Sequence, residues 1–313
     1  MAFRPAVGPL TATPGASGTF GLGCAPIGNL YTEVADEDAT ATVRAALAHG
    51  IRFFDTAPHY GAGASELRLG RALRGVDRDS VSIATKVGRR IVDSAGASVA
   101  AGATGVDTVG DLSADGVLRS VEGSLLRLGT DRIDLLHLHD PMDIDEALRV
   151  TIPAMVALRE QGVVRAIGAG MVWPGPLTRL VREAGLDVVM IAGRITLLDR
   201  SAEAELLPAA AERGVGVIAA GVFNSGILAD PEGTPFFDYR QATPEMRDRA
   251  LRLRDICRDR GVTLADAAAR YPLRRPGVEG VVIGARTPDE VAAFARSETA
   301  PIPEELWAEL AAA

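Results

Sequence analysis

Residues 18–28 read GTFGLGCAPIG, and the way this run ends decides the fold. A Gly-rich apolar strand that opened a doubly wound dinucleotide sheet would carry a GxGxxG turn leading straight into a helix. Here no helix directly follows the strand, and helical periodicity begins only at Asp36. The strand expected over 21–28 therefore reads as the first of a series. Moving outward, seven further short apolar runs follow at 52–56, 81–87, 133–140, 164–170, 187–193, 214–221 and 280–285. Segments of helical period separate them, at 36–50, 64–75, 114–129, 144–162, 174–185, 201–214, a single long stretch 244–275, and 287–297. Buried parallel strands need covering helices and right-handed crossovers. Eight such units without a linker predict an α/β fold, a single (β/α)8 TIM barrel domain over residues 1–313, with the doubly wound sheet as the alternative.

Composition narrows the function. The chain has 313 residues, 47% hydrophobic and 24% charged, with 33 basic against 41 acidic residues for a net charge of −8. No basic block stands out, which argues against a nucleic-acid partner. The N-terminal MAFRPAVGPL has no apolar signal region and no run reaches membrane-spanning length. These features lead to the expectation of a cytoplasmic protein with a small-molecule substrate; they set no oligomeric state. Cys24 and Cys257 are far apart without metal-type spacing, so neither a disulfide nor a metal site is expected.

Two segments break the rhythm. Residues 88–113 after the third strand and 222–243 after the seventh exceed ordinary barrel loops, and long loops there are expected to cover the active face.

Barrel chemistry converges at the C-terminal strand ends. Asp55 ends the second strand with Tyr60 in its loop, Lys86 ends the third, and His139 ends the fourth. Tyrosine near pKa ~10 is a poor proton carrier at neutral pH, and an adjacent ammonium favours its phenolate. Lys86 is expected to lower the Tyr60 pKa in this way, Asp55 to compensate Lys86, and His139 to orient a substrate oxygen. His137 shares the parity of His139 and reads as a satisfied core histidine one layer deeper. His59, Tyr31 and Trp173 fall in active-face loops, where each either contacts substrate or packs loop against barrel. His49 sits in the last turn of the first helix, where a cation suits the dipole.

The sequence at this point resembles the aldo-keto reductases over nearly its whole length. The matching stretches are FFDTAPHYGAGASELRLGRAL (53–73), IATKVGR (83–89), DRIDLLHLHDP (131–141), VRAIGAG (164–170), IAGRITLLD (191–199), FNSGIL (223–228) and IGARTP (283–288). Within the family they are most similar to the branch of D-threo-aldose (L-fucose) 1-dehydrogenases, L-galactose dehydrogenase and pyridoxal 4-dehydrogenase. The resemblance implies an oxidoreductase that uses NAD or NADP, Tyr60 as acid/base, Asp55 and Lys86 as its tuning pair, and His139 as orienter. It also implies cofactor contacts from Gly23, Cys24, Gly170, Arg194, Phe223, Asn224, Ser225, Gly226, Gly284, Ala285, Arg286 and Glu290. The implied reaction is oxidation of an aldose or related alcohol. An aldehyde or ketone reductase, a non-redox barrel and a cofactor-sensing subunit stand as alternatives. They stay open because the chain departs from the family at Val172 and Trp173, where an Asn grips the nicotinamide carboxamide, at Ile195, where an aromatic is common, and at Glu290 and Phe294, near the adenosine. Glu290 beside that ribose would repel a 2′-phosphate, so NAD is expected over NADP.

Overall fold

The computed structural model describes residues 18–30, 32–234 and 236–313. Eight parallel strands, Phe20–Gly23, Phe53–Asp55, Ser82–Val87, Ile133–His139, Val164–Met171, Val188–Ala192, Gly216–Ala220 and Val278–Gly284, close into a barrel in which each pairs with its sequence neighbours and the last with the first. Alternation along each strand divides the apolar residues in two. Phe53, Ala84, Leu135, Val188, Met190, Ile218 and Val282 fill the barrel interior, while a larger core seals the strands against the helices. Fully burying a Phe53 or a Leu135 contributes about 1.5–3 kcal/mol each.

The polar members of the inward rows lie at the strand ends. Register pairs Gly23 with Asp55, Asp55 with Ala84, Lys86 with His137, and His139 with Gly170. Asp55, Lys86 and His139 therefore rise from three adjacent strands on one rim.

Helices cover the barrel at Asp36–Ala48, Ala64–Ala72, Ala114–Leu128, Ile152–Glu160, Pro174–Glu183, Leu206–Arg213, Pro244–Asp259 and Pro288–Ser297. Local chemistry sets their ends. The Ser113, Thr243 and Thr287 side chains accept the backbone N–H of Gly116, Met246 and Glu290, and Gly129 closes its helix in the left-handed region.

Several elements differ from the sequence expectation. The first strand ends at Gly23 and Pro26 opens a 3-10 turn, Pro26–Gly28. The stretch 144–162 is not one regular helix: a π turn, Ala147–Thr151, precedes Ile152–Glu160. Pro153, which has no N–H to give the preceding turn, accounts for the altered spacing. Residues 201–205 form turns rather than the start of a helix. The long stretch 244–275 breaks at Gly261 (φ 70°), and Thr263 caps a new helix, Leu264–Arg270, followed by a 3-10 turn. A terminal helix, Glu304–Ala312, was not anticipated. Both long loops carry small antiparallel hairpins: Arg89–Val92 with Asp107–Gly110, and Phe236–Phe237 with Arg240–Gln241.

Candidate active site

The rim brings the four predicted side chains together. Lys86 Nζ donates to both Asp55 oxygens at 2.8 and 2.7 Å and to the Thr56 carbonyl at 2.9 Å. The two side chains are 2% and 4% exposed, so this ion pair is dry. Nζ lies 4.6 Å from the centre of the Tyr60 ring, and the Tyr60 and His139 rings meet edge to face at 5.7 Å. His59 completes an aromatic row, 5.8 Å from His139.

Burial dominates the electrostatics. It works against the Lys86 charge, but Asp55 and Tyr60 raise the ammonium above its ordinary value and keep it protonated. Tyr60 departs from expectation: its hydroxyl is raised, because burial and the Asp55 charge outweigh the pull of Lys86. The sign of the Lys86 effect is as predicted, but its size is insufficient. His139 is held well below the usual range by burial, then by Lys86 and Arg89, so it is a neutral imidazole. Burial and Arg89 also lower His59.

The Tyr60 loop is anchored from behind. Ser65 Oγ bonds Thr56 Oγ1 at 2.8 Å and donates to the Cys24 carbonyl at 2.7 Å. One residue on, Glu66 is fully buried and accepts from Thr85 Oγ1 at 2.6 Å and Arg127 Nε at 2.7 Å. Arg127 fits a slot of small residues, since a Cβ on Gly63 (φ 97°) or on Gly123 would lie 2.9 Å from it. The first hairpin reaches the site through Thr108, whose hydroxyl meets His59 Nδ1 at 2.6 Å.

Sequence reasoning missed Glu66, Arg127, Thr108, Arg89 and Asp140. Only Glu66 left a signal, as a carboxylate on the helix that follows the Tyr60 loop. Asp140 adopts a left-handed backbone (φ 43°) directly after His139, which Asp tolerates better than most residues. Burial raises its carboxyl, against the pull of Arg89.

The predicted cofactor residues continue around the same rim, at the C-terminal ends of the strands. Asn224, Ser225 and Gly226 have φ of 46°, 63° and 108° in succession after the seventh strand, and Asn224 Oδ1 is a buried acceptor without a partner among the described residues. The turn is held by its own backbone, with the Asn224 and Gly226 N–H groups donating to the Gly221 and Phe223 carbonyls and the Asn224 amide donating to the Gly193 carbonyl, so the free Oδ1 offers an acceptor to a donor group. Gly170 leaves open floor beside the quartet: a Cβ there would make only ordinary 3.8 Å contacts with Lys86 and Met190. Gly284 is exposed and Ala285 buried at the end of the eighth strand. The open floor at Gly170 fits a flat ring, and the half-exposed Arg286 after the eighth strand fits a charged end.

Other members have protein partners of their own. Cys24 is fully buried with its carbonyl taken by Ser65, so it lies beneath the rim. Arg194 is engaged by Asp199, by Asp238 and by the Val172 carbonyl, which ties the seventh-strand loop to the sixth strand's end; Phe223 packs half-buried in that loop. Both Glu290 oxygens are taken by Arg286, one by its guanidinium at 2.6 and 3.1 Å and one by its backbone N–H at 2.7 Å. Ile195 and Phe294 are core residues, Phe294 stacking near Phe20 at 6.4 Å. Trp173 is 45% exposed at the mouth, and Tyr31 lies outside the described residues.

His137 is fully buried one layer below, with its pKa pushed down to about 3 by burial and then Lys86. It is not satisfied as expected. Neither ring nitrogen has a partner among the described residues, because the inward rows beside it end in glycine: a Cβ on Gly168 would lie 2.8 Å from Nδ1. Cys257, also buried, has its thiol pushed up to about 12. Among the described residues no group of His, Cys, Asp and Glu is arranged to hold a metal ion, and no helix is long and apolar enough to cross a membrane.

Residues 19–313 match the profile described as the Aldo/keto reductase family. The chain is 43% identical over 309 residues to a D-threo-aldose 1-dehydrogenase of Pseudomonas sp., covering 94% of this chain and 93% of that protein. It is 39% identical over 315 residues to a pyridoxal 4-dehydrogenase of Microbacterium luteolum, covering 93% and 92%. A solved aldo-keto reductase from Bacillus halodurans, in its holo form, superposes with a TM-score of 0.77 at 29% identity, covering 94% of this chain and 91% of that one.

Proposed function

Because the chain belongs to the Aldo/keto reductase family, and is an oxidoreductase of that family acting on small molecules, we propose that it oxidises an aldose or related alcohol with a nicotinamide cofactor and Tyr60 as its acid/base. The observation that carries this reading is the dry Lys86–Asp55 pair 4.6 Å from the Tyr60 ring, with neutral His139 edge-on to it. The relatives named as dehydrogenases of an aldose and of pyridoxal support the direction and the substrate class.

The residues divide the work. When bound, the nicotinamide takes up the hydride in oxidation or supplies it in reduction. Ser225 and Arg286 would face its phosphate end, the Asn224 Oδ1 would accept from one of its donor groups, and Gly170 leaves room for its ring. His139, uncharged, exchanges a hydrogen bond with the reacting oxygen and holds it against the Tyr60 hydroxyl. Tyr60 moves the proton. Its raised pKa keeps it protonated at neutral pH, ready to donate in reduction, while oxidation draws on the phenolate and gains with rising pH. Lys86 limits that rise in pKa, and Asp55 keeps Lys86 charged and aimed.

NAD is the cofactor we assign. Glu290 engages Arg286, the cation that follows the eighth strand, and adds negative charge where a 2′-phosphate would sit.

Absorbance of reduced nicotinamide tests the reading. Purified protein offered NAD or NADP with aldoses, simple alcohols and aldehydes should reduce NAD fastest with an aldose. No nicotinamide-linked turnover on any of these would exclude it in favour of a non-redox barrel.

A further inference from the structure

At the same rim, two polar side chains have no role in moving the proton. The last register pair of the third and fourth strands is Val87 with Leu138, and Arg89 and Asp140 each follow two residues on, near enough that the Arg89 charge acts on both His139 and Asp140. The approach is close: a Cβ on Gly88 would lie 3.0 Å from Leu138 and 3.7 Å from the His139 carbonyl. Asp140 Oδ2 stands 3.8 Å from His139 Nε2, so it borders the group that orients the reacting oxygen. Each side chain is left incomplete by the protein. Arg89 Nε and Asp140 Oδ1 are buried with no hydrogen-bond partner among the described residues. The neighbouring arginines differ, since Arg90 meets Asp111 and Arg127 meets Glu66.

We infer that Arg89 and Asp140 form a hydroxyl-reading pair that selects substrates carrying a vicinal hydroxyl next to the reacting carbon. The inference rests on the proposed aldose oxidation and specifies its substrate recognition. A guanidinium only donates hydrogen bonds and a carboxylate only accepts them. A sugar hydroxyl does both, so one or two adjacent hydroxyls satisfy both side chains together. An anionic substrate fits less well, because Asp140 would repel the charge that Arg89 attracts. An apolar aldehyde would leave both groups unsatisfied, and sites built to bond a hydroxyl reject analogues that lack it.

The test compares kcat/KM for a neutral aldopyranose, its deoxy analogues lacking one hydroxyl beside the reacting carbon, and a small alcohol with no second hydroxyl. Each is measured with the wild type and with the Arg89→Met and Asp140→Asn variants. For the wild type, removing the hydroxyl that is read should lower kcat/KM by about 10- to 100-fold, the range for a hydrogen bond to a charged group. This arm needs no variant to fold. Each substitution should cost the full aldose a similar factor, mainly through KM, and cost the deoxy analogue and the small alcohol at least several-fold less. Equal losses on all substrates, or wild-type rates indifferent to the neighbouring hydroxyl, overturn the pair while leaving aldose oxidation intact. A preference for sugar acids that Arg89→Met abolishes would show an anion anchor and overturn it too. Wild-type enzyme that turns over simple alcohols and no aldose overturns both the pair and the reading beneath it.

Discussion

Two carboxylates are buried against the third barrel strand, Asp55 inside the barrel and Glu66 outside it, and each meets a cation at 2.7 Å. Adjacent residues of one strand serve them: Lys86 points inward to Asp55, and Thr85 outward to Glu66. The outer pair is held by further protein partners. Arg127 gives two further N–H groups to the Ala103 carbonyl and Ser124 and is walled by glycine positions. The inner pair keeps one face open toward the Tyr60 ring. A buried ion pair locks structure where the protein saturates it, and tunes chemistry where a transferable proton sits beside it. The same interaction thus does two jobs across a single peptide bond.

Substitutions on each side sharpen that contrast. The largest expected effect is on the inner side: Tyr60→Phe should lower turnover by about 10²–10⁴ while cofactor titration and thermal unfolding stay near wild type. Turnover within a few-fold of wild type would remove Tyr60 from the chemistry. On the outer side, Glu66→Ala leaves Arg127 buried and unpaired, and should cost about 3–5 kcal/mol in denaturant unfolding. A loss below about 1 kcal/mol would show that the outer pair is not a lock.

His137 adds a pH arm. Its folded pKa of about 3 lies below the ordinary value of about 6.5. The stability it contributes is therefore present above about pH 6.5 and lost as pH falls toward 3. From pH 6.5 to 5 that loss is about 2 kcal/mol, so His137→Gln should flatten the fall by this amount in unfolding measured at both pH values. An unchanged slope would mean that His137 protonates equally in both states. The smallest effect concerns the cofactor. Glu290→Gln frees Arg286 and removes a negative charge, and should tighten NADP binding by about two- to fivefold in isothermal titration, with little change for NAD. Tighter NADP than NAD binding by the wild type, unchanged in the variant, would overturn the NAD assignment.

The barrel was legible because its signal is repetitive: eight apolar runs alternating with helical periods leave few topologies, and the family motifs agree with them. Asp55, Lys86 and His139 were legible as polar residues closing apolar strands. What was not legible depends on distance and solvent. The interruptions at Pro153 and Gly261 sit inside good helical patterns, where periodicity outvotes a single residue. The Glu66–Arg127 pair joins residues 61 apart, with no local spacing to reveal it. The net direction of the Tyr60 pKa required knowing how completely the hydroxyl is desolvated, because the neighbouring charge alone gives the opposite answer. Arg89 read as an ordinary residue of the long loop and Asp140 as the last residue of the fourth strand, and only the fold brings their charges to the same group, His139.

The account turns on which group at the rim carries the proton, and the pH dependence of kcat/KM for aldose oxidation measures this most directly. With Tyr60 raised and His139 held neutral, the wild-type rate should climb along an alkaline limb and show no inflection near pH 6.5. Lys86→Met should move that limb further toward alkaline pH, since the ammonium is what favours the phenolate. A limb near pH 6.5 that persists in Tyr60→Phe and vanishes in His139→Gln would make His139 the base and contradict the account.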